Sequence, residues 1–282
     1  MERYIKEMHK PVVYHFPTRR ILTTGLDEYW TSDVLDLAKY ASENKNYKYI
    51  LVVQDMFSRF LWLKPLKNKT TKTVKSAFEE IFKIAQPKKG MLTDMGKEYT
   101  GHLLKTYLKE HGITLYHIYG SHKAAMSERS VKTVKNLLYR GFTRNSNNEW
   151  ISHLDELTTR YNNRRHRTLK ISPYNARKPE YNYIVMKQNL KRRKFKASKV
   201  KYRVNDLVRI SKSRKIFAKS YKPTFSQEQF RIRRVIKSRP VTYLLVDLFG
   251  VNIEGCFYSQ ELQKSQEVDT TGGRSKTIKD NE

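Results

Sequence analysis

Gly90-Met91-Leu92-Thr93-Asp94-Met95-Gly96-Lys97-Glu98-Tyr99 is a short apolar run that ends on an acid, with a glycine two residues later. It reads as a strand over 90–93 that delivers Asp94 at its carboxyl end, the edge at which open α/β sheets keep their ligand sites. Gly96 gives the following backbone room for close approach. Upstream, Val74, Ala77, Phe78, Ile81 and Phe82 fall at helical spacing and predict a helix over 71–84, capped by Thr71 or Thr73 and stopped before Pro87. Before that, β-branched and aromatic runs predict strands over 29–37, 47–54 and 60–66, the last two joined by the short link 55–59. Downstream come a helix over 102–111 stopped by Gly112, a strand over 113–119, and helices over 127–140 and 149–164. Strands, helix, strand, helix, strand and helices in this order predict an α/β sandwich.

From Val204 the pattern changes to all-β, with short runs over 206–210, 230–236, 242–247 and 255–258 that predict a small barrel. The expected domain organisation is therefore an N-terminal arm over 1–27, an α/β core over 28–180, a basic linker over 181–203, a small β-barrel over 204–263, and a disordered tail over 264–282. The arm, with Pro11 and Pro17 among basic residues, reads as extended. Lys191, Arg192, Arg193 and Lys194 lead a basic run that suits a linker, a phosphate-binding strap or a nuclear import signal.

Lysine and arginine number 57 against 27 aspartates and glutamates, a formal net charge of +30, which favours a polyanionic partner and predicts salt-sensitive binding. Charge alone also fits a ribosomal or chromatin component, yet 12% aromatic content argues for a folded chain rather than a tail. The single cysteine, Cys256, excludes an intramolecular disulfide framework and fits a reducing compartment. The charged first residues and the lack of a long apolar window predict a soluble, unsecreted protein without a membrane partner.

Three acids stand in distinctive settings: Asp33 after Trp30-Thr31-Ser32, Asp94 at its strand end, and Glu128 opening a basic helix. A carboxylate cluster repels itself, and hard oxygen ligands suit Mg²⁺ or Mn²⁺, two of which would make a phosphoryl-transfer site. Asp27, Glu28 and Asp36 compete with Asp33 for the role. Glu128 lies three residues before Val131, which starts the Val131, Val134, Leu138 stripe, so the spacing places it on their inward face. Lys132 and Lys135 fall near the same side, and Arg129 adds charge, an arrangement suited to a phosphate backbone.

These contexts, together with His9-Lys10-Pro11, Tyr49-Ile50-Leu51-Val52-Val53-Gln54-Asp55-Met56-Phe57-Ser58 and Tyr161-Asn162-Asn163-Arg164-Arg165-His166-Arg167 followed by Pro173, carry a family resemblance. Residues from about 10 to 179 resemble the catalytic core of retroviral and retrotransposon integrases and related DDE transposases, and look most like the integrases of Maverick/Polinton elements. The resemblance implies an RNase H-like core followed by an SH3-like or chromo-like barrel. It implies Asp33, Asp94 and Glu128 as the catalytic, metal-binding triad of a two-metal Mg²⁺ or Mn²⁺ site, and Lys132 and Lys135 as positions that hold the element's DNA end. It further implies 3′-end processing and strand transfer by a nuclear homo-oligomer acting on element ends and target duplex, with no small-molecule substrate. Met95 and Ser130-Val131 depart from the family's usual residues, and His9 and His15 lack the nearby cysteines of its zinc module. That last departure motivates a second reading, a domesticated DNA-binding protein with weak or no turnover.

Overall fold

The computed structural model describes residues 2–13, 16–18, 22–118, 125–191, 199–212 and 222–266. The chain divides into two compact units, one formed by residues 20–194 and the other by residues 1–19 together with 195–282.

The central unit is built on a five-stranded sheet ordered β3-β2-β1-β4-β5. Strands β1 (Tyr29–Asp36), β2 (Tyr49–Asp55) and β3 (Leu61–Leu66) form an antiparallel meander, and β4 (Gly90–Thr93) and β5 (Thr114–His117) add on parallel to β1. Parallel strands need crossovers, which are supplied by α2 (Thr71–Phe82) before β4 and by α3 (Lys97–Thr100) with α4 (His102–Glu110) before β5. Alternation along β2 sends Leu51 and Val53 into one core with Val74, Phe78, Ile81 and Leu108. It sends Ile50 and Val52 into a second core with Val134 and Leu138 of α5 (Ala125–Asn145) and Leu154 of α6 (Leu154–Asn163). Both faces of the sheet are thus covered, and every residue of β4 is buried. Gly90 is required where β4 meets β5, because a Cβ there would lie 2.7 Å from the Thr114 carbonyl oxygen and 2.6 Å from the Tyr116 ring.

Two polar devices trim this unit. Asp27, held at φ 57°, accepts from Trp30 Nε1 at 2.9 Å and from both Arg177 terminal nitrogens at 2.9 Å, which fixes the entry to β1. On the outer strand β3, Asn162 receives the Leu61 N–H at 2.9 Å and donates to the Leu61 carbonyl at 2.8 Å, so a buried side-chain amide caps the edge of the sheet.

Several local expectations are corrected. The cap of α2 is Thr70 rather than Thr71 or Thr73, because Thr70 keeps an extended backbone and accepts the Thr73 N–H. α3 and α7 (Pro173–Ala176) are single turns too short to leave a periodic pattern, and α8 (Asn182–Leu190) is a helix where linker was expected, with Val185 and Asn189 buried.

The second unit contains α1 (Glu2–Met8) and five antiparallel strands ordered β10-β6-β7-β8-β9: β6 (Leu207–Ile210), β7 (Phe230–Ile236), β8 (Thr242–Val246), β9 (Asn252–Tyr258) and β10 (Leu262–Lys264). Its core is Tyr202, Val208, Phe230, Ile232, Val241, Tyr243, Leu245 and Leu262. Burial pushes the Tyr202 phenol up to about 12, and its hydroxyl donates to the Leu262 carbonyl at 2.7 Å. The segment read as an extended arm instead starts as a helix whose end is tied to the sheet: the Met8 carbonyl accepts the Thr224 and Phe225 N–H groups at 2.8 and 3.1 Å. Fully buried Arg209 lies 4.5 Å from the Tyr4 ring centre and 3.4 Å from a Glu7 carboxylate oxygen, and donates to the carbonyls of Ser226 and Gln227. β10 also occupies the first residue expected for the tail, whose remainder from 267 lies outside the described residues.

Candidate active site

Strand register sets two of the three predicted acids on neighbouring strands. β1 and β4 run parallel with Thr31 opposite Leu92, and Asp33 and Asp94 each lie two residues past that pair. Both are half-buried, Asp94 just past the carboxyl end of β4, as the sheet-edge argument expects, and Asp33 within β1. One oxygen of Asp33 accepts the Val34 N–H at 2.8 Å, and one of Asp94 accepts the Gly96 N–H at 2.9 Å, which turns the chain directly into α3.

The reading of the sequence missed the groups that fix this turn from below. Tyr99, fully buried on α3, shares a 2.9 Å hydrogen bond with the Ser32 hydroxyl on β1. Burial pushes its phenol well above the ordinary tyrosine value; the Ser32 bond opposes that shift, while the charges of Asp33, Glu98 and Asp94 add to it. One phenol therefore feels three acids, and the Ser32–Tyr99 link ties the strand of Asp33 to the loop of Asp94. Glu98 folds back over Gly96, where an added Cβ would lie 2.6 Å from a carboxylate oxygen. His117 Nδ1, at the end of β5, lies 3.1 Å from the Asp94 carbonyl oxygen and 3.2 Å from the Thr93 hydroxyl, which also lies 3.0 Å from that carbonyl and donates to it. Tyr99 sits on a single turn too short to leave a periodic pattern, and nothing in the sequence marks His117.

Glu128 corrects the sequence reading. It is exposed rather than inward-facing, and the core takes Val131, Val134, Leu138 and Phe142 from further along α5. Among the described residues no group of three or more His, Cys, Asp or Glu side chains converges closely enough to hold a metal ion. The donor chemistry of the acids still fits a hard cation, since Asp33, Asp94 and Glu128 offer only carboxylate oxygens. Residues 119–124, between β5 and α5, lie outside the described residues.

The competitors of Asp33 have other employment. Asp27 is paired with Arg177, Asp36 caps the Ala38 N–H at 2.9 Å, and Glu28 bonds Lys89 at 2.7 Å. Arg129, Lys132 and Lys135 are exposed along α5, with Tyr139 and Arg140 exposed further along the same helix. Beside them, the Lys39 ammonium sits 4.5 Å from the Tyr40 ring centre and 5.6 Å from that of Tyr139. Lys191 is exposed at the end of α8, and the predicted contacts Arg192, Arg193 and Lys194 lie outside the described residues.

Residues 24–119 match the family model of the integrase core domain. A transposon-derived protein of Caenorhabditis elegans is 26% identical over 195 residues, 69% of this chain and 65% of the relative, so the chain spans about 65% of that protein's length. Among solved structures, a chain of the simian T-cell lymphotropic virus intasome in complex with PP2A regulatory subunit B56 gamma is similar at 16% identity, with a TM-score of 0.63 over 92% of this chain and 86% of that one; the likeness is one of fold. The HTLV-2 integrase catalytic core domain in complex with magnesium matches at 17% identity and a TM-score of 0.45, over 54% of this chain and 97% of that one.

Proposed function

We propose, from the premise that this chain belongs to the integrase-like DDE superfamily, that it is a DNA-integrating polynucleotidyl transferase that processes 3′ ends and joins them to a target duplex. The observation that supports this reading best is that Asp33, within β1, and Asp94, just past β4, each follow the last paired residue of two neighbouring parallel strands by two positions, inside the segment that matches the integrase core. The spelling of the motifs favours the Maverick/Polinton integrases within the superfamily.

In this reading Asp33 and Asp94 hold Mg²⁺ or Mn²⁺ and Glu128 is the third ligand. With two such ions bound, the site gains an activated attacking oxygen and charge stabilisation on the leaving oxygen. The chain's own residues position the reactants. Ser32, Tyr99, Thr93 and His117 keep the two aspartates in register, and Arg129, Lys132 and Lys135 set the phosphate backbone along α5. The second unit, in which β6 to β9 run as an antiparallel meander and β10 returns to pair with β6, suits an SH3-like or chromo-like barrel that adds a further DNA contact. A homo-oligomer is the assembly this chemistry requires if two DNA ends are to be joined together. A nuclear location follows from the substrate and from the basic run beginning at Lys191.

The test compares duplex DNA with an RNA/DNA hybrid of the same sequence in Mn²⁺. Nicking and joining of duplex alone is expected; preference for the hybrid would mark an RNase H-type nuclease on the same fold and reject the proposal. On duplex, Lys132→Ala with Lys135→Ala should lower the salt slope of binding by about two.

A further inference from the structure

The turn between β8 and β9 presents apolar side chains that its geometry does not need. Residues 247–251 reverse the chain, with the Asp247 carboxylate accepting the Phe249 and Val251 N–H groups at 2.9 and 2.8 Å and its N–H donating to the Val251 carbonyl at 2.9 Å. Gly250, at φ 86°, supplies the left-handed residue. Asp247 and Gly250 thus complete the turn, and polar residues would serve at the other positions. Yet Leu248, Phe249 and Val251 stand there, 54%, 94% and 62% exposed. Scattered exposed apolar residues are ordinary, but three on one rigid tip are a feature.

The strand beside this tip is basic. Arg231 pairs in register with Val246, which in turn pairs with Asn252, the residue after the tip. Between Ile232 and Arg234 the ladder bulges, and the extra residue, Arg233, turns its guanidinium to the Asn252 side-chain oxygen at the base of the tip. Arg233 and Arg234 are exposed. The acids nearby are Asp247, whose carboxylate is engaged by two backbone N–H groups, and exposed Glu254 on β9. An apolar tip above arginines has the make-up of side chains that enter a minor groove and part a base step while cations hold the flanking phosphates.

We propose that the 247–251 tip is a wedge that docks into duplex DNA, with Phe249 unstacking a base step and Arg231 and Arg233 holding the adjoining backbone. This rests on DNA being the protein's partner, as proposed above, and adds a contact site in the second unit that is independent of the acids.

The experiment uses the full chain and a duplex carrying 2-aminopurine, whose fluorescence rises on unstacking. Wild type should raise the signal on binding. Phe249→Ala should abolish the rise and weaken binding by about tenfold, with an unchanged salt slope because no charge is lost. Arg233→Gln should keep the rise and lower the slope by about one. Wild-type binding with no fluorescence change, or with a rise that Phe249→Ala preserves, would overturn the wedge alone. No duplex binding by wild type would overturn both the wedge and the reading it rests on. DNA-free self-association that Phe249→Ala removes would assign the tip to a second copy of the chain and reject the wedge.

Discussion

The two units of this molecule are held together by different means. The central unit buries both faces of its sheet, with Trp30 fully buried and stacked 4.2 Å from Trp62 and separate apolar cores on either side. The other unit has one small core and engages the chain's first residues through polar ties to Arg209, Thr224 and Ser265. Its stability therefore depends on a buried cation whose second terminal nitrogen has no hydrogen-bond partner among the described residues, a costly arrangement compared with well-packed apolar side chains. The contrast teaches that a short chain segment far away in sequence can complete a domain too small to close on hydrophobic area alone.

The largest expected effects separate the units. Trp30→Ala should cost the central unit about 4 kcal/mol by loss of transfer energy and cavity formation. Arg209→Ala should cost the second unit about 3 kcal/mol by stranding Glu7, and the combined Arg209→Met and Glu7→Gln variant should recover most of that loss. Chemical denaturation followed by tryptophan emission and by far-ultraviolet circular dichroism tests both, since all three tryptophans lie in the central unit. A single transition lowered equally by Trp30→Ala and Arg209→Ala would break the comparison.

Next in size is the support beneath the acids. Tyr99→Phe leaves the buried Ser32 hydroxyl without its partner and should cost about 1 kcal/mol in folding. If the bond positions the aspartates, strand transfer should fall by more than the folded fraction does; a loss that only tracks folding would make it purely structural.

The smallest effect is shared by both units. Burial opposes ionisation of Glu28, but the Lys89 ammonium and the backbone N–H groups of Thr24 and Gly25 outweigh it and hold its carboxyl below the ordinary value of 4.5. Burial opposes ionisation of Asp206 as well, and the Arg203 N–H and Lys264 outweigh it, holding that carboxyl below 3.8. A depressed folded-state pKa contributes stability above the unfolded value that disappears as pH falls through the folded one. Stability should therefore decline below about pH 4.5, and Glu28→Gln and Asp206→Asn should each flatten that decline slightly, because both carboxylates are near solvent.

Much of the central unit was legible because its strands are rich in β-branched and aromatic residues and its long helices carry a clear period. Asp94 was readable as the polar end of an apolar strand. Glu128 was misread because helical spacing gives a direction around the axis and not the point along it where packing begins. Asn162 belongs to a run that reads as a family signature, and its side chain caps the edge of β3. The docking of α1 left no pattern, since a single helix of seven residues is fixed by partners some 200 positions away, such as Arg209.

The central claim is that Asp33, Asp94 and Glu128 act together on DNA, and its most direct test is a strand-transfer and nicking assay on labelled duplex with Mn²⁺. Wild type would be compared with Asp33→Asn, Asp94→Asn and Glu128→Gln, with duplex binding measured in parallel. The account predicts product from wild type, a loss of at least about a hundredfold in each variant and little change in binding. Full activity in Asp94→Asn, or tight binding by all four proteins with no product from any, would contradict it.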